Sequence, residues 1–179
     1  MLKTPEAKIH LVAADLNDYP RLQNLARFYV YDMSRYCGFL PGWDCPENGL
    51  YECYDCKKYF TEKERYPFLI RVDKELAGFV LINKVGTTPT VDWNVGEFFV
   101  IAKFQRQGVG QQIAKRIWQQ FSGNWEVAVI PQNERGLNFW RNTIGEFSKN
   151  QFSETVKQVS YDLTNPRIIF HFIAHERNE

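Results

Sequence analysis

Two glycines between a strand pattern and a helix pattern constrain this 179-residue chain more than any other feature. The segment Gln105-Arg106-Gln107-Gly108-Val109-Gly110 follows a strand-like stretch, 91–101, and precedes a helical pattern over 110–121. Such a turn can direct several backbone N–H groups at one anion, beside the positive end of a helix. Glycine suits positions where a Cβ would hold a phosphate away. The turn therefore predicts a phosphate site, with a diphosphate as its natural ligand.

Two better-known phosphate-binding turns fit these residues less well. A Walker A loop needs Gly-Lys-Ser/Thr, but Gln111 and Gln112 follow the second glycine here. A Rossmann turn needs a third glycine where this chain has Ile113, and it normally follows the first strand of a parallel unit. An ordinary glycine-rich helix start stays open as the plain alternative.

The apolar periodicity predicts a mixed α/β fold in a single domain, 1–179. An antiparallel meander should precede a strand–helix–strand crossover. Residues 37–56 are rich in Gly, Pro, Cys and Asp and predict a loop, and Asn165-Pro166 predicts a turn between the last two strands. The expected strands are 9–14, 67–72, 77–83, 91–101, 125–130, 156–163 and 167–173, and the expected helices are 17–36, 110–121 and 134–143.

Composition narrows the range of partners. The net charge is +1, and no basic cluster indicates nucleic-acid binding. No stretch is apolar and long enough to cross a bilayer, and the first residues lack the apolar run of a signal peptide. We therefore expect a cytoplasmic protein with no membrane or nucleic-acid partner, whose four cysteines stay reduced.

The turn and its surroundings resemble the GNAT acetyltransferases. Gln105-x-x-Gly108-x-Gly110 is similar to that family's Gln/Arg-x-x-Gly-x-Gly/Ala signature. Further features follow in the family's order: the apolar strand 127–130, Asn133, Phe139-Trp140 and Gly145. The segments 29–34, 67–72 and 77–79 resemble a bacterial group of predicted acetyltransferases. The resemblance implies a GNAT-type fold: a central, mostly antiparallel sheet with a splayed strand pair and helices on both faces.

The resemblance also implies acetyl-CoA as the acetyl donor. Its pyrophosphate would lie on the backbone of 106–110, and its pantetheine arm in the gap beside Phe99-Val100-Ile101, like an added strand. A backbone N–H near Val100 or Ile101 would bind the acetyl oxygen. Asn133 would reach the pantetheine arm, although a plain helix N-cap is its simpler role. The full expected cofactor set is Phe99, Val100, Ile101, Gln105, Arg106, Gln107, Gly108, Val109, Gly110, Gln111, Asn133 and Trp140.

The chain departs from the family at Trp140, where many members have a tyrosine that protonates the departing thiolate. An indole donates hydrogen bonds but is no practical proton donor. Water or another side chain could protonate the thiolate, or it could leave unaided, because a thiol pKa is about 8.5. Plain core packing is the other interpretation of Trp140.

The amine must lose a proton before it attacks, and Glu97 is the expected base. Its alternation partners Phe99 and Ile101 are apolar, so burial would raise its pKa toward neutrality. Binding of the substrate cation or a structural hydrogen bond are the other interpretations of Glu97. Asp92 is the second choice of base.

Tyr29, Asp32 and Tyr36 share one face of the first helix and are the expected acceptor-binding residues. Aromatic rings and a carboxylate suit a cationic amine. Core aromatics with a paired aspartate are the alternative.

Cys53 and Cys56 have the Cys-x-x-Cys spacing that forms half of a zinc site. The other two cysteines, Cys37 and Cys45, do not form a second pair with this spacing, so we expect no metal. No Ser/His/Asp or Cys/His pattern indicates a hydrolase.

From the resemblance we expect an N-acetyltransferase that moves acetyl from acetyl-CoA to a small-molecule or peptide primary amine by direct attack in a ternary complex. The alternative is a CoA-binding sensor or interaction module without catalysis. The sequence leaves the oligomeric state open, and a homodimer is the state that the resemblance suggests, because dimers are common in this superfamily.

Overall fold

The computed structural model describes residues 8–53 and 56–175. Short 3-10 turns at Leu16–Asp18 and Ala102–Phe104 precede the first helix and the phosphate-type turn. In chain order the elements are β1 Ile9–Ala13, α1 Tyr19–Cys37, α2 Lys58–Thr61, β2 Arg65–Val72, β3 Glu75–Asn83, β4 Trp93–Val100, α3 Val109–Gln120, β5 Gly123–Val129, α4 Glu134–Ser148, β6 Phe152–Val159 and β7 Asp162–Ala174.

The strands form one seven-stranded sheet in the order β1-β2-β3-β4-β5-β7-β6. Every neighbouring pair is antiparallel except β4 and β5, which are joined through α3 and run parallel. The predicted mixed α/β fold with a mostly antiparallel sheet is therefore confirmed.

Helices cover both faces of this sheet, and the alternation along β3 shows how. Val80 and Ile82 point into the core beneath α3 and α4. Phe79 and Leu81 point to the opposite face, where they pack with Leu22 of α1. The continuous apolar run of β3 is thus explained by burial on both of its faces. Among the described residues, no helix combines the length and the apolar character that a membrane span requires.

The parallel pair β4–β5 separates partway along its length. Its last paired residues are Val95 and Val127, yet β4 continues to Val100 and β5 to Val129. The ends of the two strands therefore diverge, as expected for the splayed pair, and leave a gap within the sheet, at the end of β4 where the phosphate-type turn begins.

The C-terminal strands correct the expected boundaries. The turn between β6 and β7 is at residues 160–161, and Asn165-Pro166 lies inside β7. Pro166 is tolerated there because the β5–β7 pairing stops at Ile168 and the β6–β7 register is irregular near the hairpin end. The helix α4 is also longer than expected. It continues past 143 to Ser148 and ends where Lys149 adopts a left-handed conformation with φ of 54°.

Candidate functional site

A cleft of about 1200 Å³ opens at the gap between β4 and β5. Its walls come from α1, from the first turn of α4, from the loop between β3 and β4, and from the β6–β7 turn. One end of the cleft lies at the turn over 105–110, and we name it the cofactor end. The other end lies between α1 and the β6–β7 hairpin, and we name it the acceptor end.

The turn at the cofactor end has the conformation expected of an anion site. Arg106 and Gly108 are both left-handed, with φ of 60° and 76°, and α3 begins immediately afterwards at Val109. A backbone that alternates between left-handed and other conformations next to a helix N-terminus directs several N–H groups into one concavity. A Cβ on Gly108 would meet nothing closer than Gln112 Nε2 at 3.8 Å, so its backbone conformation, and not crowding by protein atoms, favours glycine.

The second glycine of the motif has a different role within the protein. A Cβ on Gly110 would lie 3.2 Å from the Phe139 ring and 3.6 Å from that of Phe98. Gly110 therefore lets the first turn of α3 approach α4 closely, in addition to lining the cleft.

Gln105 joins three parts of the cofactor end. Its Nε2 donates a hydrogen bond to the Val100 carbonyl at 2.6 Å, and its Oε1 accepts one from Arg135 at 2.6 Å. Arg135 lies in the first turn of α4 and lines the cleft, as does Arg106. Sequence analysis missed Arg135, although a cation two residues after Asn133 was a readable signal beside a phosphate-type turn.

The end of β4 distinguishes between the two N–H groups expected to face the acetyl oxygen. The Ile101 N–H donates to the Ala77 carbonyl at 2.8 Å, so it is engaged with β3. In an antiparallel ladder, neighbouring residues alternate in the direction of their N–H groups. Val100, which pairs with Gly78, therefore directs its N–H away from β3 and toward the gap. The geometry favours Val100 over Ile101, because Ile101 neither offers its N–H nor lines the cleft, and the contact with an acetyl oxygen stays a prediction.

A β-bulge places Glu97 in the cleft. The β3–β4 register shifts between Leu81 and Ile82, which pair with Glu97 and Val95 and leave Gly96 as the extra residue. Val95 faces the α3–α4 core, so in a regular strand Glu97 would face that core too. The extra residue reverses the alternation, and Glu97 lines the cleft instead.

The Tyr29 hydroxyl lies close enough to the Glu97 carboxylate to donate a hydrogen bond to it. Burial first, and the nearby Glu97 charge second, raise the pKa of Tyr29 well above its ordinary value. The Tyr29 ring packs against Phe99 and Phe79, with ring centroids 5.9 and 6.0 Å away. Tyr29 was expected to bind the acceptor, and in the structure its hydroxyl engages the expected base.

A second tyrosine lies beneath the bulge and was missed from sequence. Tyr59 of α2 is buried, and its hydroxyl accepts a hydrogen bond from Asn83 Nδ2 at 2.5 Å. A Cβ on Gly96 would lie 2.1 Å from this hydroxyl, so only glycine fits the bulge. Burial raises the pKa of Tyr59, so the phenol stays protonated. No local motif pointed to Tyr59, because its contact with β4 arises only in the folded chain.

Trp140 and Asn133 occupy the α4 side of the cleft. Trp140 is buried against Phe98 and Phe139, with ring centroids 5.0 and 4.8 Å away, and it also lines the cleft. Core packing therefore describes it well. Asn133 caps α4, because its Oδ1 accepts the Gly136 N–H at 2.9 Å. Its contact with a pantetheine arm stays a prediction.

Asp32 and Tyr36 line the acceptor end, and Asp32 forms an ion pair with Arg35 at 3.6 Å.

Other expected residues point elsewhere. Gln107 donates to the Lys103 carbonyl at 2.6 Å, Val109 is buried in the core, and Gln111 bonds to Glu146. Any cofactor contact of these three would come from the backbone. The second-choice base, Asp92, lies outside the cleft and accepts the Asn124 N–H at 2.8 Å.

A buried carboxylate on β5 organises the acceptor end. Glu126 is only 2% exposed and accepts hydrogen bonds from the Thr87 hydroxyl at 2.6 Å and the Thr87 N–H at 3.0 Å. His171 lies 3.0 Å from the same carboxylate. Lys157 Nζ donates to the Thr87 carbonyl at 3.1 Å. These contacts hold the β3–β4 loop across β5 and β6. A lone glutamate within the apolar strand Gly123–Val129 was the signal that could have revealed this site.

The cysteines give no sign of a metal centre within 8–53 and 56–175, where no three candidate ligands come together. Cys37 and Cys56 are buried, and Cys45 is exposed. Burial raises the pKa of Cys37 to about 11. Residues 54 and 55, between the two closest cysteines, lie outside the described residues, so the expectation of no metal stays a prediction.

Comparison with known proteins identifies the family. The sequence model described as "Acetyltransferase (GNAT) family" matches residues 22–145, which is more than half of the chain. The protein belongs to the GNAT acetyltransferase family. A search of curated proteins found no match.

Solved structures agree with this fold. The ribosomal-protein-S18-alanine N-acetyltransferase of Escherichia coli superimposes with a TM-score of 0.61 at 12% identity, over 96% of this chain and 97% of that one. An acetyltransferase from Thermus thermophilus gives 0.63 at 15%, over 93% and 97%. A putative acetyltransferase from Salmonella typhimurium, with its cofactor acetyl-CoA, gives 0.60 at 11%, over 96% of both chains. At these identities the likeness establishes the fold.

Proposed function

We propose that this protein transfers the acetyl group of acetyl-CoA to a primary amine by direct attack in a ternary complex. The observation that carries the proposal is the gap between β4 and β5, which ends at the left-handed turn over 105–110. An extended chain that ends in a diphosphate matches both parts, because the gap offers strand-edge backbone and the turn offers N–H groups. Arg106 and Arg135 line the cleft beside this turn and add positive charge for the phosphates.

Two groups on β4 suit the chemistry. Acetyl-CoA supplies an activated acetyl thioester. The Val100 N–H faces the gap and would donate to the acetyl oxygen, where negative charge develops during attack. Glu97, three residues earlier on the same strand, lines the cleft. It would take the proton that the substrate ammonium group must lose before its nitrogen can attack.

Tyr29 supports the role of Glu97 as base. Its hydroxyl would donate a hydrogen bond to that carboxylate and so hold the Glu97 side chain in place. Because its pKa lies well above the ordinary value, Tyr29 keeps its proton at neutral pH and remains a donor. The proposal thus assigns Tyr29 to the base, while Asp32 and Tyr36 would contact the acceptor.

A CoA-binding sensor without catalysis is the second candidate, and Trp140 favours it. The indole fills the α4 side of the cleft where many family members have a tyrosine, and it offers no proton for a leaving thiolate. In the enzyme, water at the open cleft would protonate the thiolate, or the thiolate would leave unaided.

The two candidates differ in one measurement, the steady release of CoA thiol from acetyl-CoA in the presence of a panel of primary amines. Turnover with any amine supports the enzyme. Tight CoA binding by calorimetry with no turnover across the panel favours the sensor, and absence of CoA binding contradicts both.

The proposal has three further parts: a cytoplasmic location, where acetyl-CoA is available, a homodimeric state, and the absence of nucleic-acid and membrane partners. Sedimentation analysis tests the homodimer.

A further inference from the structure

The cations that line the cleft differ in how their charge is balanced. Arg35, Arg65 and Arg167 form ion pairs with Asp32, Glu62 and Asp162 at 3.6, 2.6 and 2.9 Å. Arg106 and Arg135 lie at the cofactor end, where phosphates are expected. Lys157 is the lining cation that remains, and it forms none of the ion pairs found among the described residues.

Lys157 also has few neutral partners. Its Nζ donates to the Thr87 carbonyl at 3.1 Å, which uses one of the three donors of an ammonium group. The nearby Glu126 carboxylate is engaged by Thr87 and His171. Lys157 is half-buried, and a partly buried charge is stabilised by an anionic hydrogen-bond acceptor. The cleft therefore presents a cation at its acceptor end that a ligand carboxylate would complement.

The adjoining hairpin fixes this end of the cleft. Arg167 pairs with Lys157 in the β6–β7 register and donates to Asp162 and to the Asn165 carbonyl, at 2.9 and 2.7 Å. Burial raises the pKa of Asp162, but hydrogen bonds from Thr164 and Arg167 outweigh burial and hold that pKa well below its ordinary value. Asp162 thus keeps its charge at neutral pH and balances Arg167, so the charge of Arg167 is already paired, whereas that of Lys157 is not.

The strand order sets the separation between Lys157 and the expected base. Glu97 is on β4 and Lys157 is on β6, with β5 and β7 between them. Three regular strand spacings of about 4.8 Å would place their backbones roughly 14 Å apart, and the divergence of β4 from β5 beyond Val95 makes the separation at Glu97 larger than this. The lysine side chain crosses part of this distance to reach Thr87. An acceptor that spans both groups would carry its amine and its carboxylate several bonds apart.

We propose that Lys157 binds a carboxylate of the amine acceptor, so that the acceptor is an amino acid-like molecule or a short peptide with a free C-terminus. This inference rests on the proposed acetyl transfer and adds the substrate class. The acceptor ammonium group lies toward Glu97, and its carboxylate receives the remaining donors of Lys157.

Matched pairs of amines test the inference. The panel is 3-aminopropanoate, 4-aminobutyrate, 6-aminohexanoate and glycylglycine, each against its own carboxamide. Their kcat/KM values are measured by CoA thiol release. In 6-aminohexanoate the amine is far from the carboxyl group, so acid and amide differ little in amine protonation. At least one acid is expected to exceed its amide by about tenfold or more, the size of a hydrogen bond between charged groups.

Variants assign this preference to Lys157. Lys157→Met removes the charge at similar length and is expected to reduce the acid-to-amide ratio toward one, whereas Lys157→Arg should retain a preference for the acid. Lys63→Met, at an exposed lysine outside the cleft, is the matched control and should keep the wild-type ratio. If Lys157 only supported the β3–β4 loop, Lys157→Met would lower kcat/KM for acid and amide equally.

The outcomes separate this inference from the proposed function. Turnover with every amide at least as fast as with its acid overturns the role of Lys157 and leaves the acetyl transfer standing. If acetyl-CoA binds but no panel member is acetylated, calorimetry measures the affinity of the protein–CoA complex for 6-acetamidohexanoate and for its carboxamide. Tighter binding of the acid that is lost in Lys157→Met supports the inference, and equal affinity of acid and amide overturns it.

Discussion

The two ends of the cleft are built in different ways. The cofactor end consists largely of backbone: a strand edge freed by the divergence of β4 and β5, and a turn whose conformation depends on Arg106 and Gly108. The acceptor end consists of side chains that come from α1, β4, β5, β6, β7 and the β3–β4 loop. Its charges are arranged by contacts such as Tyr29 with Glu97 and Thr87 with Glu126.

In the proposed function, this difference would let one fold keep its donor and change its acceptor. A backbone site tolerates many side chains, provided that the turn keeps its glycines and the strands keep their divergence. A site of side chains changes with single substitutions, such as one that removes the Lys157 charge. The comparison predicts that substitutions at one end should affect one ligand and spare the other.

The largest effect is expected for Glu97→Gln at the acceptor end. Loss of a general base lowers kcat by on the order of 10²–10⁴-fold. The CoA affinity should remain near the wild-type value, because the amide keeps the shape of the side chain. Stopped-flow thiol release and calorimetry measure the two quantities, and Glu47→Gln in an exposed loop is the matched control. A raised KM with unchanged kcat would instead show that Glu97 only binds the substrate.

The next largest effect is expected at the cofactor end for Gly108→Asp. The new carboxylate would face the diphosphate and compete for the N–H groups of the turn, so CoA should bind on the order of 100-fold more weakly. Gly49→Asp is a matched control, because Gly49 has φ of 71° and equally open surroundings but belongs to the loop between α1 and α2 and not to this turn. Circular dichroism checks that both variants fold. Unchanged CoA affinity in Gly108→Asp would refute the assignment of the turn.

The cofactor end could be predicted from sequence because its signal is local. The motif over 105–110 sits between a strand and a helix whose patterns are clear, and Asn133 is a helix cap in both sequence and structure. The strand-edge role was harder to assign. Whether Val100 or Ile101 directs its N–H into the gap depends on the pairing with β3, which a single sequence does not specify.

The acceptor end could be predicted only in part because its contacts are distant in sequence. Glu126 meets Thr87 across 39 residues and His171 across 45. The error at Asn165-Pro166 has a related cause. These residues form a strong local turn signal, but Asp162 accepts hydrogen bonds from the Thr164 and Asn165 N–H groups and holds the irregular segment within β7. The chain actually reverses at 160–161, which contain no glycine or proline.

A smaller effect is expected for Thr87→Val, which tests whether side chains hold the wall of the acceptor end. The variant removes a hydroxyl that donates to a buried carboxylate at 2.6 Å, and the free energy of unfolding should fall by about 1.5–3 kcal/mol. Thr90→Val, where the hydroxyl meets only the Thr88 side chain near the surface, should change it by less than about 0.5 kcal/mol. Urea unfolding measures both variants. A parallel loss of CoA affinity in Thr87→Val would show that the two ends of the cleft are coupled.

The smallest effect, and the most specific to the acceptor end, is expected for Tyr29→Phe. Tyr29 acts through Glu97, so kcat/KM should fall by about tenfold, the worth of one hydrogen bond to a charged group. A hydrogen bond donated to a carboxylate favours its ionised form, so its loss should move the acid limb of the kcat/KM profile to higher pH. Because the pKa of Tyr29 is raised well above its ordinary value, the wild-type donor stays protonated across this range, and its own titration cannot produce the limb.

Tyr31→Phe is the matched control for this last variant. Tyr31 is exposed on the same helix and lies outside the cleft, so the acid limb should stay in place. Lower activity in Tyr29→Phe with an unshifted acid limb would mean that Tyr29 contacts the acceptor directly, as the sequence first indicated. A shifted limb with unchanged CoA affinity would instead assign the tyrosine to the base, and would separate the chemistry of the acceptor end from the backbone site proposed for the donor.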